Sequence, residues 1–261
     1  MSPGEFGYWD RTTIERDAPR LSRLLLHYFR ADVQGLSAVP DEPVLFVGNH
    51  SGAAMIPDTL VWLASYLNAS RRTPLCTLAH DGMFDAYPTR LAAWMTRMGA
   101  LRASHARALE ALHHGFAVLA YPGGDDDACR SFRQRHELVF AGRKGYVALA
   151  READVPIVPV VSVGAHEALI VLSDGKRIAH RLGLHQKARL TAFPITLSLP
   201  WGLWLGPLPG YVPLPTKVVI RALPPINPHE GSVDEIDTKV RASMQQTMRA
   251  LAAQRRFPVI G

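Results

Sequence analysis

Apolar residues along this chain follow two rhythms. Short continuous runs at 44–47, 116–121 and 155–161 have the length and β-branched content of strands buried on both faces. Residues 73–78 and 217–222 read as further strands, and 99–102 as a strand leading into a helix. Between them the spacing changes to the helical period. Residues 12–32 place Leu21, Leu24, Leu25, Tyr28 and Phe29 on one side and Arg16, Arg20, Arg23 and Arg30 elsewhere. The 58–68 stretch carries Leu60, Leu63, Ala64 and Leu67 on one stripe, with Pro57 suited to a first helical position. Helices are also predicted around Trp94 and Met98, over 104–114 with Gly115 as the stop, from Lys144 to near Asp154, and over 233–254. Prolines 156 and 159 predict an edge or a bulge for the 155–161 strand.

Strands alternating with helices, with no repeat and no break in composition, predict a single α/β domain. Its sheet is expected to be mainly parallel or mixed and flanked by helices. An N-terminal amphipathic helical segment, 1–36, precedes the main domain, 37–261. A basic amphipathic helix of this kind either packs on its own domain or lies on an anionic membrane surface.

Charge sharpens the choice of partner. The 261 residues carry a formal net charge of +6 and a pI near 9.6. That excess suits a phosphorylated metabolite or an acidic lipid surface. Nucleic acid ranks last, because no aromatic-interleaved basic stripe or zinc-finger spacing occurs. Cys76 and Cys129 form no CxxC pair and read as free thiols of a reducing compartment. The first residues lack a signal-peptide layout, and no apolar run reaches eighteen residues. A cytoplasmic protein, peripheral at the inner face of the membrane, is therefore expected. The Pro-rich 190–215 region, with Trp201, Trp204 and Tyr211, suits a hydrophobic channel or a membrane-facing lip, with a packed loop as the alternative.

Candidate chemistry gathers at strand ends. His50 follows the 44–47 strand at its carboxyl end, where ligands bind in open α/β sheets. Asp58 lies in the first turn of the next helix. Continuous helix from one to the other would separate them by roughly 12 Å, so a base-and-orienter pair requires residues 51–56 to fold back. Without that fold-back, His50 merely satisfies local backbone and Asp58 caps a helix. After the 116–121 strand, Gly123 and Gly124 allow close approach of backbone N–H groups to an anion. Arg130 and Arg133 follow as candidate phosphate ligands. Arg102, after Gly99, either faces the site or is surface. Asp125, Asp126 and Asp127 read as a solvated loop rather than a metal site, and no metal is expected.

Three segments in order resemble the glycerolipid and lysophospholipid acyltransferase family. They are Gly48-Asn49-His50-Ser51-Gly52 with Asp58, Tyr121-Pro122-Gly123-Gly124 with Arg130, and Val155-Pro156-Ile157-Val158-Pro159-Val160. Gly99 to Arg102 weakly matches a fourth block. Two departures stand out. Seven residues lie between His50 and Asp58, more than in the usual signature, and Gly123 replaces the glutamate of the Phe-Pro-Glu-Gly block. The Gly-Gly form is similar to the branch containing diacylglycerol and phytyl-ester acyltransferases.

The resemblance implies a glycerol-phosphate-acyltransferase-like fold. It also implies acyl transfer from acyl-CoA or an acyl carrier protein to a lipid hydroxyl, with His50 as base, Asp58 as its orienter and no cofactor. Arg102, Arg130 and Arg133 are candidates for phosphate groups, and Asp81 and Asp85 are the reserve orienting acids. An acyl-ester hydrolase and a non-catalytic lipid-binding protein are the competing readings.

Overall fold

Strand alternation decides the layering. In β2 (Leu45–Gly48), Leu45 and Val47 face one side while Phe46 faces the other. The same division holds in β5 (Ala117–Ala120), where Val118 and Ala120 oppose Ala117 and Leu119. In β6 (Ile157–Val163), Ile157 and Val161 oppose Val158 and Val160. Strands apolar on both faces need helices on both sides.

The computed structural model describes residues 3–260 except 53–54, 70, 86–87, 185–191, 207–209 and 258. Helices α1 (Arg11–Tyr28) and α2 (Pro57–Asn68) lie on one face of the sheet, where Trp62 and Tyr66 pack edge-on against Phe46. The opposite face is covered by α5 (His105–His113), α7 (Gly145–Glu152) and the closing helix α9 (Val233–Ala253). Met244, Met248 and Leu251 of α9 are fully buried there. Strands β3 (Leu75–Ala79) and β4 (Ala100–Arg102), with the short helices α3 (Gly82–Asp85) and α4 (Thr89–Arg97), complete the first half.

The main sheet has seven strands in the order β1-β10-β6-β2-β5-β3-β4. Five are parallel, from β6 to β4. β10 (Val219–Ala222) runs antiparallel to β6, and β1 (Asp32–Gln34) pairs parallel to β10. The N-terminal segment is thus knit into the domain rather than set before it, because residues 32–34 are a sheet strand. Helix α1 buries Ile14 and Ala18 against Met98, Trp94 and Leu67, and Trp94 donates its indole N–H to Asp17 at 2.8 Å.

The 155–161 segment departs from its expected place at an edge. β6 is an interior strand with every residue buried. Pro159 is tolerated because its missing N–H falls where β10 leaves the ladder. Leu223 still donates to the Pro159 carbonyl at 2.9 Å, and pairing resumes at Ile157 with Ile226. The expected edge is thus absent, and the irregularity falls in the partner strand β10 rather than in β6 itself.

A second, antiparallel sheet, β7-β8-β9, comprises Ile170–Ser173, Ile195–Ser198 and Gly202–Leu205. It occupies much of the Pro-rich region, and α8 (Lys176–Arg181) leaves the end of β7. Among the described residues no helix is long and apolar enough to cross a membrane.

Candidate active site

The site begins where β2 ends. Asn49, fully buried, binds the backbone of β6 in both directions: Nδ2 donates to the Ser162 carbonyl at 3.0 Å, and Oδ1 accepts from the Ser162 N–H at 2.7 Å. That clamp fixes the direction in which the chain leaves the sheet. The His50 peptide is then held from both sides. Its N–H donates to the Asp127 carboxylate, and its carbonyl accepts from Arg130 Nη1 at 2.7 Å. The His50 ring stacks on Tyr121, with centroids 4.3 Å apart and planes 19° apart.

Residues after His50 turn back as the seven-residue separation requires. Gly52 has φ +80°, and its carbonyl accepts from Met55 N–H at 3.2 Å and from the Tyr211 hydroxyl at 2.6 Å. A Cβ at Gly52 would meet Pro57 Cδ at 2.5 Å, so only glycine fits the turn. Ile56 is left-handed, Pro57 starts α2, and Asp58 falls in its first turn. His50 Nδ1 thereby comes within 3.3 Å of Asp58 Oδ2. Asp58 Oδ1 accepts from the Thr59 N–H at 2.7 Å, and the Thr59 hydroxyl donates to Tyr121 Oη at 2.8 Å. No protein partner is found for His50 Nε2 among the described residues.

Electrostatics favour a histidine that holds a proton readily. Burial opposes the imidazolium, but the charge and hydrogen bond of Asp58, with Asp127 and Asp125 nearby, outweigh it and raise the His50 pKa above its ordinary value. The Tyr121 phenol is pushed well up by burial and stays protonated. Burial also pushes the Cys76 and Cys129 thiols up to about 12, which removes both as thiolate nucleophiles. No cluster of three His, Cys, Asp or Glu among the described residues has the arrangement of a metal site.

Other sequence candidates take different places. Arg130 is 2% exposed and does not face a substrate. Its guanidinium is spent on the His50, Asp127, Gln134 and Arg135 carbonyls and on the Asp127 carboxylate at 2.8 Å. Arg102 pairs with Asp85 at 2.6 Å and Asp81 at 3.4 Å, stacks over Phe84, and donates to the Pro3 carbonyl. It secures the N-terminal strap to edge strand β4, and the two reserve acids belong to it rather than to His50. Arg133 is exposed in the short 132–134 turn that follows Arg130.

The turn at 121–124 departs from expectation as well. Gly124 N–H is committed to the Tyr121 carbonyl at 3.1 Å, whereas Gly123 N–H has no protein acceptor among the described residues. A Cβ at Gly123 would lie 2.1 Å from the Val139 carbonyl oxygen, so no glutamate fits this backbone. The acidic triplet is no solvated loop: Asp127 is fully buried in α6 (Gly124–Ala128), accepting from His50, Arg130 and the Val139 N–H. Sequence reasoning missed this role, and missed Tyr211, which reaches Gly52 from 159 residues away. Only the i, i+3 spacing of Asp127 and Arg130 hinted at the first.

A strand-end histidine backed by a carboxylate, with its second ring nitrogen unpaired among the described residues, is equipped to take a proton from a hydroxyl. Comparison with known proteins agrees with that chemistry. The description of the Acyltransferase family matches residues 30–163. An uncharacterized protein of Mycobacterium tuberculosis is 31% identical over 265 residues, taking in 98% of this chain and 71% of that one. A Gallus gallus protein named DGAT1/2-independent enzyme synthesizing storage lipids is 26% identical over 82% of this chain and 58% of its own length. The crystal structure of the 1-acyl-sn-glycerophosphate (LPA) acyltransferase PlsC from Thermotoga maritima superposes with a TM-score of 0.57 at 17% identity, covering 94% of this chain and 84% of that one. This chain belongs to the Acyltransferase family, and its chemistry is O-acyl transfer.

Proposed function

We propose that this chain moves a fatty acyl group from an acyl thioester, acyl-CoA or acyl-ACP, onto a hydroxyl of a glycerolipid or other lipid alcohol. The observation that carries the reading is the His50 ring, with Nδ1 at 3.3 Å from Asp58 and Nε2 without a protein partner among the described residues. With its Nδ1–H donated to Asp58, the ring presents the Nε2 lone pair to the acceptor hydroxyl. Nε2 takes the proton as the oxygen attacks the thioester carbonyl, forming the C–O bond and a tetrahedral oxyanion. Collapse breaks the C–S bond, and the thiolate leaves with the proton held by His50. Asp58 keeps the ring oriented and stabilises the imidazolium between those steps. No protein nucleophile is needed, because the attacking oxygen belongs to the substrate.

Gly123 N–H is the backbone donor we assign to the oxyanion, and Arg133 the exposed cation for a phosphate of the donor or acceptor. The missing glutamate and the storage-lipid name of the chicken relative favour an uncharged lipid alcohol as acceptor. Location at the inner face of a membrane, as a peripheral protein, completes the reading, and the reaction as written calls on no cofactor.

Acyl-CoA turnover with and without a panel of lipid alcohols, read by mass spectrometry of the lipids formed, tests the assignment. Acceptor-dependent ester formation is expected, with His50→Ala lowering it by about 10²–10⁴ while the fold persists. Thioester loss without an acceptor would mark a hydrolase. A folded His50→Ala with full activity would remove the base assignment.

A further inference from the structure

The second sheet reverses the polarity of a water-facing strand. In β8 the inward residues are polar: Thr196 is fully buried and Ser198 nearly so, and neither hydroxyl has a partner among the described residues. Its outward Leu197 is 47% exposed. Register extends this outer face across the sheet, since Leu197 lies opposite Leu203 and Ile170, and Ile195 opposite Leu205. Leu203 and Leu205 are 64% and 60% exposed, and Leu172, Leu199, Trp201 and Val212 are open as well. An apolar face this continuous marks a contact surface.

Charge identifies what it contacts. Residues 175–217 contain six Lys and Arg and no Asp or Glu. The other 23 Lys and Arg match the chain's 23 Asp and Glu, so the whole net charge of +6 resides in the segment that carries the apolar face. On α8, exposed Arg177 and Arg181 stand with exposed Ile178 and Leu182. We infer that the outer face of β7-β8-β9, with the basic helix α8, is the surface on which this protein docks on an anionic lipid bilayer.

Lys176 is paired with Asp126 at 3.0 Å, but Arg177 and Arg181 have no acidic partner among the described residues. Apolar side chains next to such unpaired cations match a bilayer interface, with headgroups meeting the cations and acyl chains meeting the leucines. A second copy fits less well, because two-fold pairing would set the same cationic segments against each other. The face is also coupled to the candidate site: Leu169 and Val171, beneath it, pack with Tyr211 and Met55, and Tyr211 binds Gly52 in the His50 loop. Helix α1, the basic amphipathic segment of the sequence, is not this surface; it buries Ile14 and Ala18 on its own domain. The inference rests on the acyl-transfer reading only for its purpose, since docking is measured without catalysis.

Flotation of the full chain with phosphatidylcholine vesicles, with and without a third of phosphatidylglycerol, tests it at low and high salt. Binding is expected on the anionic vesicles and to weaken with salt. Arg177→Glu with Arg181→Glu should reduce it about tenfold or more. Leu203→Asp with Leu205→Asp should do the same even at low salt, with thermal unfolding unchanged to show the fold intact. Arg16→Glu with Arg20→Glu on α1 should bind like the wild type. The proposal is overturned if the α8 and β9 variants bind as the wild type does, if neutral and anionic vesicles bind equally, or if only the α1 variant loses binding. It is equally overturned if the wild type is a dimer that Leu203→Asp separates, which would make the face a contact between copies. Acyl transfer to a short, water-soluble alcohol should be the same in all these variants. Absence of that transfer, with docking intact, would count against the reaction alone.

Discussion

His50 works among carboxylates, and its raised pKa gives the reaction a pH signature. As the proposed base, His50 must be neutral, so activity should rise as pH climbs through a value above the ordinary 6.5. Stability moves the other way. The favourable pairing of a charged His50 is fully present below its unfolded value and is lost as pH rises through the folded one. Asp58→Asn removes the largest raising charge, so the acid limb of kcat/KM should shift to lower pH while kcat falls by orders of magnitude. A profile measured on both proteins checks this; an unshifted limb would assign it to another group. Arg130 makes a different case. Removing it leaves Asp127 buried and unpaired, at a cost of about 3–5 kcal/mol, and frees the His50 carbonyl. Arg130→Ala should therefore lower Tm and kcat, with KM for a phosphate-bearing substrate little changed. A selective rise in KM would return Arg130 to substrate contact.

At the scale of elements, the turn between β2 and α2 decides whether histidine and aspartate meet. Gly52→Ala puts a methyl group into Pro57 and into a left-handed backbone. A displacement of about 1 Å costs on the order of 10²-fold in rate, so kcat should drop by that order with the sheet intact, as circular dichroism would show. Much of this was legible. His50 at a strand end, Pro57 as first helical residue and the need for 51–56 to fold back all follow from local rules about strands, prolines and reach. The roles of Asp127 and Arg130 were not legible, because a run of three aspartates looks the same whether one is buried or none is. Burial depends on where the segment docks, and docking is set by partners far off in sequence, above all the His50 peptide. Pro159 shows the same limit: a missing N–H is visible in sequence, but the bulge in β10 that accommodates it is not.

Over the whole molecule, the small sheet is tied to the main domain through Tyr211. Tyr211→Phe deletes the 2.6 Å bond to the Gly52 carbonyl. That bond is worth about 1 kcal/mol, and its loss should loosen 195–205 and 51–56 together. Hydrogen exchange should show faster amides in both segments with β2, β5 and β6 still protected; a uniform change would refute the coupling. Alternation of strands and helices announced the α/β class and the mainly parallel sheet. The pairing of β1 with β10 could not be read, since three residues at 32–34 carry no mark of a partner at 219–221.

The clamp between Asn49 and Ser162 bears on how the protein is made. β2 emerges early in synthesis, yet both of its neighbours, β5 and β6, come much later, and Asn49 binds the later of the two. Contacts of such long range close late in folding. While a nascent chain still lacks β6, the ribosome carries the histidine and the aspartate without the scaffold that aims them. The arrangement of His50 and Asp58 is therefore complete only once β6 has joined the sheet and Ser162 has met Asn49.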